Sequence, residues 1–417
     1  MRTYAFAGAS QRALFMYAKP LLTEYADQGR IVGVFDINPL RARTFSQWSG
    51  GVPVFADFDR LLAEARPDVV IVTTVDATHH DYIIRSLTAG CEVITEKPMT
   101  TDAEKCRAIL AAERATGRTV TVTFNYRFMP YVTRAKELIR AGAIGRVRNV
   151  DFEWLLDRTH GADYFRRWHR RKQNSGGLLV HKATHHFDLV NWWLDDTPQT
   201  VFAFGSRQFY GPTRAERGQR CSTCGHTRTC EFYVDYAANP VFKSLYFEAE
   251  SADGYWRDQC VFADEIDIED TMSVTVRYAK GAQLAYSLIA YSPYEGWRAS
   301  LTGDGGRLEL AVIESGPEAS AQALAIAIYT PDGRVRQETI PVDPSGHGGG
   351  DERLLERLFS GRTLPDPLGH MADAQAGARA MLIGAAANQS IATGRAIESL
   401  LPRTLAVLPN QPPVKPS

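Results

Sequence analysis

An α/β domain followed by an α+β domain is the fold the sequence predicts, and three observations predict it. Through about residue 124, short β-rich apolar runs alternate with segments of helical spacing, a pattern that produces a parallel sheet wound on both faces. From about Arg146 the runs lengthen, fill with aromatic and β-branched residues and follow one another with few helices between. That is the text of an open, mostly antiparallel sheet with one solvated face. The length, 417 residues, divides at roughly 150 residues per unit into two or three domains.

The first strands are Thr3–Ala7, Ile31–Asp36, Val52–Phe55, Val69–Thr74, Glu92–Thr95 and Thr119–Phe124, with Tyr82–Ala89 and Asp102–Thr116 spaced as crossover helices. The second set is Val147–Leu155, Thr200–Phe204, Thr271–Tyr278, Gln283–Tyr291 and Arg307–Ala311. One helix, about Gly177 to Leu194, interrupts it. Helical spacing returns from Gly350 to about Gly394, with Leu354, Leu355 and Leu358 on one face and an Ala-rich stretch at Ala372–Ala392. The tail from Leu408 carries four prolines in ten residues and reads as a strapping extension. The expected division is residues 1–125, residues 126–349 with a Cys-rich insertion at about 215–262, and residues 350–417.

Composition limits the functions. Hydrophobic residues make up 44% and charged residues 23%, an ordinary globular balance. Lys+Arg total 47 against 48 Asp+Glu, so no overall field draws the chain to nucleic acid or an anionic membrane. The longest apolar stretch, Ala321–Tyr329, is far short of the ~18 residues needed to span a bilayer. The N-terminus enters an apolar strand at once and lacks the order of a signal peptide, so a cytoplasmic location is expected.

The first strand runs into Gly8-Ala9-Ser10-Gln11-Arg12-Ala13, a reduced form of the Gly-rich turn that brings backbone N–H groups to a pyrophosphate. The second ends in Asp36, whose carboxylate can accept hydrogen bonds from adenosine ribose hydroxyls. Arg41 and Arg43 follow and could instead meet a 2'-phosphate, so NAD is favoured and NADP kept as the alternative. After the fourth and fifth strands come Thr73, Thr74 and His79, then Glu96-Lys97-Pro98. With Phe124-Asn125-Tyr126-Arg127 and Ile144-Gly145-Arg146-Val147, the chain resembles the Gfo/Idh/MocA family of nicotinamide-dependent oxidoreductases. The resemblance implies a Rossmann domain, a large open sheet and an active site between them. It implies that Gly8, Ser10, Gln11, Arg12, Asp36, Thr73, Thr74, His79, Glu96, Lys97 and Asn125 line the cofactor, that Tyr126 is catalytic and that Arg127 meets substrate. Ser10 and Ala13 stand where the family has glycines. A lysine at the carboxyl end of a parallel strand faces the crevice and can hydrogen-bond a substrate oxygen, which makes Lys97 the first catalytic candidate.

The second constellation is Ser175-Gly176-Gly177 leading to His181-Lys182-Ala183-Thr184-His185-His186-Phe187-Asp188. The family's aspartate position holds His181 and its histidine position holds His185. On one helix their i, i+4 spacing puts them on one face, and His185 can take a hydroxyl proton as its carbon releases hydride. His181 is expected to act as a second proton carrier or substrate ligand. His186 and Asp188 read as structural. Upstream, Arg166, Arg167, Arg170, Arg171 and Lys172 surround Trp168 and His169; in the resembled family this loop borders the substrate, so Arg166, Trp168, Arg170, Arg171 and Lys172 are expected to bind an anionic group. Cys221, Cys224, Cys230 and Cys260 are expected to hold a structural zinc, with His226 an alternative fourth ligand.

The leading expectation is an NAD-dependent enzyme moving hydride to and from a ring carbon, carbon 3, of a small-molecule carbohydrate, with an anionic substrate group expected from the Arg-rich loop. The alternative is an NAD-dependent redox glycosidase, in which transient oxidation acidifies carbon 2 and the aglycone leaves from carbon 1. A non-catalytic nucleotide-binding sensor is the third. The open sheet face suggests a homo-oligomer; no nucleic acid or membrane partner is expected.

Overall fold

The structure, a computed structural model, describes residues 1–316, 319 and 323–398; the expected tail from Leu408 lies outside the described residues. Six parallel strands form the first sheet: β1 (Arg2–Ala7), β2 (Gly29–Phe35), β3 (Val54–Phe55), β4 (Val69–Val72), β5 (Glu92–Thr95) and β6 (Val120–Val122). Their order, β6-β5-β4-β1-β2-β3, reverses between β1 and β4, where a doubly wound sheet opens its ligand crevice. The runs read as continuous apolar text because both faces are covered: Val69, Val70, Ile71 and Val72 are all buried.

The second sheet holds β7 (Val147–Asp157), β8 (Pro198–Ser206), β9 (Thr271–Tyr278), β10 (Gln283–Ser292), β11 (Gly296–Gly303), β12 (Gly306–Ile313), β13 (Ala323–Tyr329) and β14 (Val335–Pro341). All neighbours are antiparallel except β7 with β10. Period 2 decides its orientation: Met272, Val274, Val276 and Tyr278 of β9 are buried, and Ser273, Thr275 and Arg277 are exposed. The buried face packs under the helices that carry the reaction-end residues.

Two features depart from the reading above. The C-terminal segment is not confined to helices: β15 (Ala372–Asp373) adds an antiparallel edge to β6, and β16 (Ile397–Glu398) adds one to β8, so the helix between them, Ala374–Thr393, joins the two sheets. The helix expected from Gly177 to Leu194 is interrupted at Lys182, with Leu178–His181 and Ala183–Leu194 on either side.

The Cys-rich insertion is fastened by its own packing and ion pairs. Among the described residues no three His, Cys, Asp or Glu side chains converge as a metal site, and Cys221, Cys224, Cys230 and Cys260 are not paired as disulfides. The structure does not support the expectation of a structural zinc. The loop has what the zinc was invoked to supply: an aromatic core of Phe209, Tyr210, Phe232 and Phe262, and buried ion pairs from Arg220 to Asp258 (2.7 Å) and Glu250 (2.5 Å). Asp270 accepts hydrogen bonds from the backbone N–H groups of Gln208, Phe209 and Tyr210.

Candidate active site

The crevice lies at the carboxyl ends of β1, β2, β4 and β5. Gly8 has φ +100°, and a Cβ there would fall 2.8 Å from the Thr73 carbonyl carbon and 2.9 Å from the Thr74 nitrogen, so only glycine lets the β1 and β4 loops meet. The Ser10 hydroxyl accepts a hydrogen bond from the Ala13 N–H (3.1 Å), which starts the following helix without the family's glycine. Asp36 accepts from the N–H groups of Ala9 (2.7 Å) and Asn38 (2.8 Å), binding the end of β2 to the Gly-rich turn. Thr73 donates to the Gly8 carbonyl (2.9 Å). The His79 ring lies between the carbonyls of Thr74 (3.1 Å) and Pro98 (2.9 Å) and ties the β4 and β5 loops together.

Glu96 receives Arg12 and the Tyr17 hydroxyl, both at 2.6 Å. Burial would raise its carboxyl, but the Arg12 guanidinium and Tyr17 hydrogen bond hold it below the usual range. Asn125 donates to Asp351 (2.6 Å) while its Oδ1 is buried without a partner. A Gly8 cradle that a Cβ would fill, a helix start at Ser10 and an orphaned amide oxygen at Asn125 fit a dinucleotide laid from Asp36 to Lys97.

At the reaction end, Lys97 donates to the His181 carbonyl (3.0 Å) and stands 3.4 Å from its Nε2. Its pKa is lowered to about 8, by burial first, against the opposing pull of Asp76 and Glu96. The other ring nitrogen of His181 meets Asp76 at 2.5 Å. Burial raises Asp76 and, with help from nearby cations, lowers His181, so the pair is driven toward its neutral form. A carboxyl group, absent from position 181, is thus brought beside it in space by Asp76, from the β4 loop. His185 stacks on Tyr126 (centroids 4.3 Å apart) and has its Nδ1 buried without a partner. Burial, with Lys97 and Lys182 nearby, holds His185 well below the ordinary imidazole range, so it is neutral at pH 7.

The break in the helix gives these side chains separate stations: His181 turns to Lys97 and Asp76, His185 to Tyr126. Lys182, at the break, donates to the Tyr126 hydroxyl (3.3 Å) and lies over Trp154. Its pKa is lowered by burial, and Glu295 and Glu314 oppose that shift. His186 and Asp188 are structural in their contacts, the first stacked on Trp154 and bonded to Tyr286 (2.7 Å), the second bidentate to Arg127 (2.5 and 2.7 Å).

The expected anion-binding residues are placed differently. Arg127 spends its remaining Nη1 donor on the Gly369 carbonyl (2.9 Å). Arg166 is buried against Cys221 and donates to the Phe232 carbonyl (3.0 Å). Arg170 pairs with Glu265 (2.9 Å), and Lys172 pairs with Glu269. These four hold framework and insertion in place. Arg171 is half-buried beside them. Trp168 does reach the cleft, stacked on His169 and edge-on to His181, and Arg167 lies near enough to Asp76 and His181 to bias both.

Asp76, Lys182, Glu295, Glu314, His347 and Asp351 were missed from sequence. His347 pairs with Asp351 (2.7 Å) and lies 5.8 Å from the Tyr126 ring. The run Gly346-His347-Gly348-Gly349-Gly350-Asp351 was the available signal for this turn. The others are brought in by long-range folding.

Residues 3–124 match the oxidoreductase family's NAD-binding Rossmann fold, and residues 136–398 match the Gfo/Idh/MocA C-terminal alpha/beta domain. The chain is 40% identical over 95% of its length, and 97% of the relative's, to YteT of Bacillus subtilis (strain 168), whose name assigns it provisionally to the oxidoreductases. It is 32% identical over 42% of its length to an inositol 2-dehydrogenase of Rhizobium meliloti (strain 1021), spanning half of that protein. Among solved structures, the WlbA dehydrogenase of Bordetella pertussis, in complex with NADH and UDP-GlcNAcA, superimposes with TM-score 0.65 at 18% identity, covering 96% of this chain and 99% of that one. The aldose-aldose oxidoreductase of Caulobacter crescentus gives 0.62 at 18% identity, covering 95% and 99%.

Proposed function

The chain belongs to the Gfo/Idh/MocA oxidoreductase family, and from that premise we propose that it moves hydride between NAD and a ring carbon, carbon 3 in this reading, of a sugar or cyclic polyol. The observation that carries the proposal is the convergence of Lys97, His181 and His185 at the carboxyl end of β5, with Asp76 completing the group. Relatives named for inositol and sugar substrates support the substrate class.

Bound NAD+ would supply the hydride acceptor. His185, neutral because it is buried, is in the right form to accept the hydroxyl proton. Lys97 is positioned to hydrogen-bond the oxygen as charge develops on it, and its lowered pKa lets it exchange a proton near neutrality. Asp76 fixes the orientation of His181. Trp168, partly exposed beside His181, offers a flat apolar face for a sugar ring. For an anionic substituent, support narrows to Arg167, which meets the Asp163 carboxylate only at 3.7 Å and lies beside Asp76 and His181, because Arg127, Arg166, Arg170 and Lys172 are held by closer protein partners.

The test is NADH formation from NAD+ across a panel of neutral and carboxylated sugars, inositols and their glycosides. A neutral or anionic ring that reduces NAD+ in proportion to its oxidation supports the reading; no turnover on any member overturns it. The Asp76–His181 pair favours one second reading, the redox glycosidase, since elimination and hydration need a proton carrier besides His185. That enzyme would release aglycone through many turnovers on a trace of NAD+, place deuterium from solvent at carbon 2 and accumulate almost no NADH. Intact glycosidic bonds with stoichiometric NADH would remove it.

A further inference from the structure

The Cys-rich insertion does not stay with its own sheet. Its segment from Asn239 to Arg257 crosses to the first domain and packs where the adenosine end of a dinucleotide would lie. Asn38, buried just past β2, donates its side-chain amide to the Ala249 carbonyl (2.8 Å). Arg41 donates Nε to the Leu245 carbonyl (3.2 Å) and Nη2 to Asp253 (2.8 Å), while Nη1 reaches Asp36 (3.2 Å). The Tyr246 hydroxyl accepts the Gln11 N–H (3.0 Å), one of the backbone donors of the Gly-rich turn. Leu245 and Tyr246 share a hydrophobic core with Phe6, Ala9, Ala13 and Phe45.

We propose that this segment is a wall of the dinucleotide site and that Asp253, acting on Arg41, sets its preference for NAD over NADP. The proposal rests on the NAD reading of the site and not on the choice of sugar. A 2'-phosphate is a dianion and needs a free cation beside the ribose. Arg41 is the cation at that place, and its side chain, only 10% exposed, is held between two carboxylates. The group as a whole carries net negative charge, which suits ribose hydroxyls as donors and repels a phosphate. Arg43 is exposed two positions further along the helix Pro39–Trp48, a spacing that turns it away from Arg41. Asp253 comes from a segment more than two hundred residues away in sequence, so a nucleotide preference read from β2 alone omits half of its electrostatics.

The test is equilibrium binding of NADH and NADPH, followed by nucleotide fluorescence, with no sugar present. In Asp253→Asn the NADPH Kd should fall at least about tenfold relative to that of NADH, and the gain should vanish in Asp253→Asn/Arg41→Gln. Hydrogen exchange should show NADH protecting residues 240–257 together with 8–12. An unchanged NADPH/NADH ratio in Asp253→Asn, or no protection of 240–257, overturns the proposal. Should Asp253→Asn loosen the segment, Asp253→Glu decides: it keeps the charge beside Arg41 and should leave the NADPH/NADH ratio within about twofold of the unaltered protein's, and a tenfold or larger change would overturn the charge argument. Failure of either nucleotide to bind the unaltered protein would defeat the NAD reading itself, and this proposal with it.

Discussion

The run Arg166–Lys172 and the cluster around Lys97 are both rich in cations and imidazoles, yet the fold treats them oppositely. In the run, Arg170 and Lys172 meet the carboxylates of Glu265 and Glu269, just past the insertion, and Arg166 donates to a backbone carbonyl. In the cluster, Lys97, His181, Lys182 and His185 are buried together, burial outweighs the pull of Asp76, Glu96, Glu295 and Glu314, and all four have lowered proton affinities. Charge that is matched by a partner fastens structure. Charge that is desolvated without a full match is available for proton transfer near neutrality. Density of basic residues along the chain therefore points to the wrong place, and burial in a crevice to the right one.

The largest effect should come from breaking a matched pair. Arg127→Ala leaves Asp188 buried and unpaired and should cost about 3–5 kcal/mol of stability, measured by denaturant unfolding. A loss under about 1 kcal/mol would remove Arg127 from the framework. In the unmatched cluster the effects should fall on rate. Lys97→Ala and His185→Ala should each lower kcat at least about a hundredfold with NADH binding retained, and near-normal turnover in either would exclude that residue. Activity that needs the Lys97 ammonium should be present below about pH 8 and decline above it, since burial has lowered its pKa to about 8; the alkaline limb should move in Lys97→Arg. Asp76→Asn should lower kcat by roughly tenfold to a hundredfold and shift the pH profile, because His181 loses the carboxyl that orients it. An unchanged profile would leave the Asp76–His181 contact structural. The smallest effect should be Cys224→Ser, within about 0.5 kcal/mol of the unaltered protein; a large loss of stability together with loss of bound metal would restore a metal role to the insertion.

Much of the scaffold was legible because it is periodic. Val69–Val72 reads as a doubly buried strand and Thr271–Tyr278 as a half-buried one, since side-chain alternation is local. β11, β13 and β14 were not read. Trp297-Arg298-Ala299-Ser300 mixes small, charged and aromatic residues, and only pairing between β7 and β12 makes it a central strand. The i, i+4 argument for His181 and His185 assumed one unbroken helix, whereas the interruption at Lys182 depends on what each imidazole packs against.

By itself the sequence determined the parallel sheet, the glycine at the nucleotide turn, the acid at the end of β2 and the placement of Lys97 at the mouth of the crevice. Each follows from a strand's apolar run and the residue that ends it. Tertiary structure alone decided that Asp76 brings a carboxyl group beside position 181, that Asp253 pairs with Arg41, and that Arg166, Arg170 and Lys172 are consumed as fasteners. Those pairings join residues 66 to 212 positions apart. Their energies depend on burial and on the direction of approach, which local patterning along the chain does not encode.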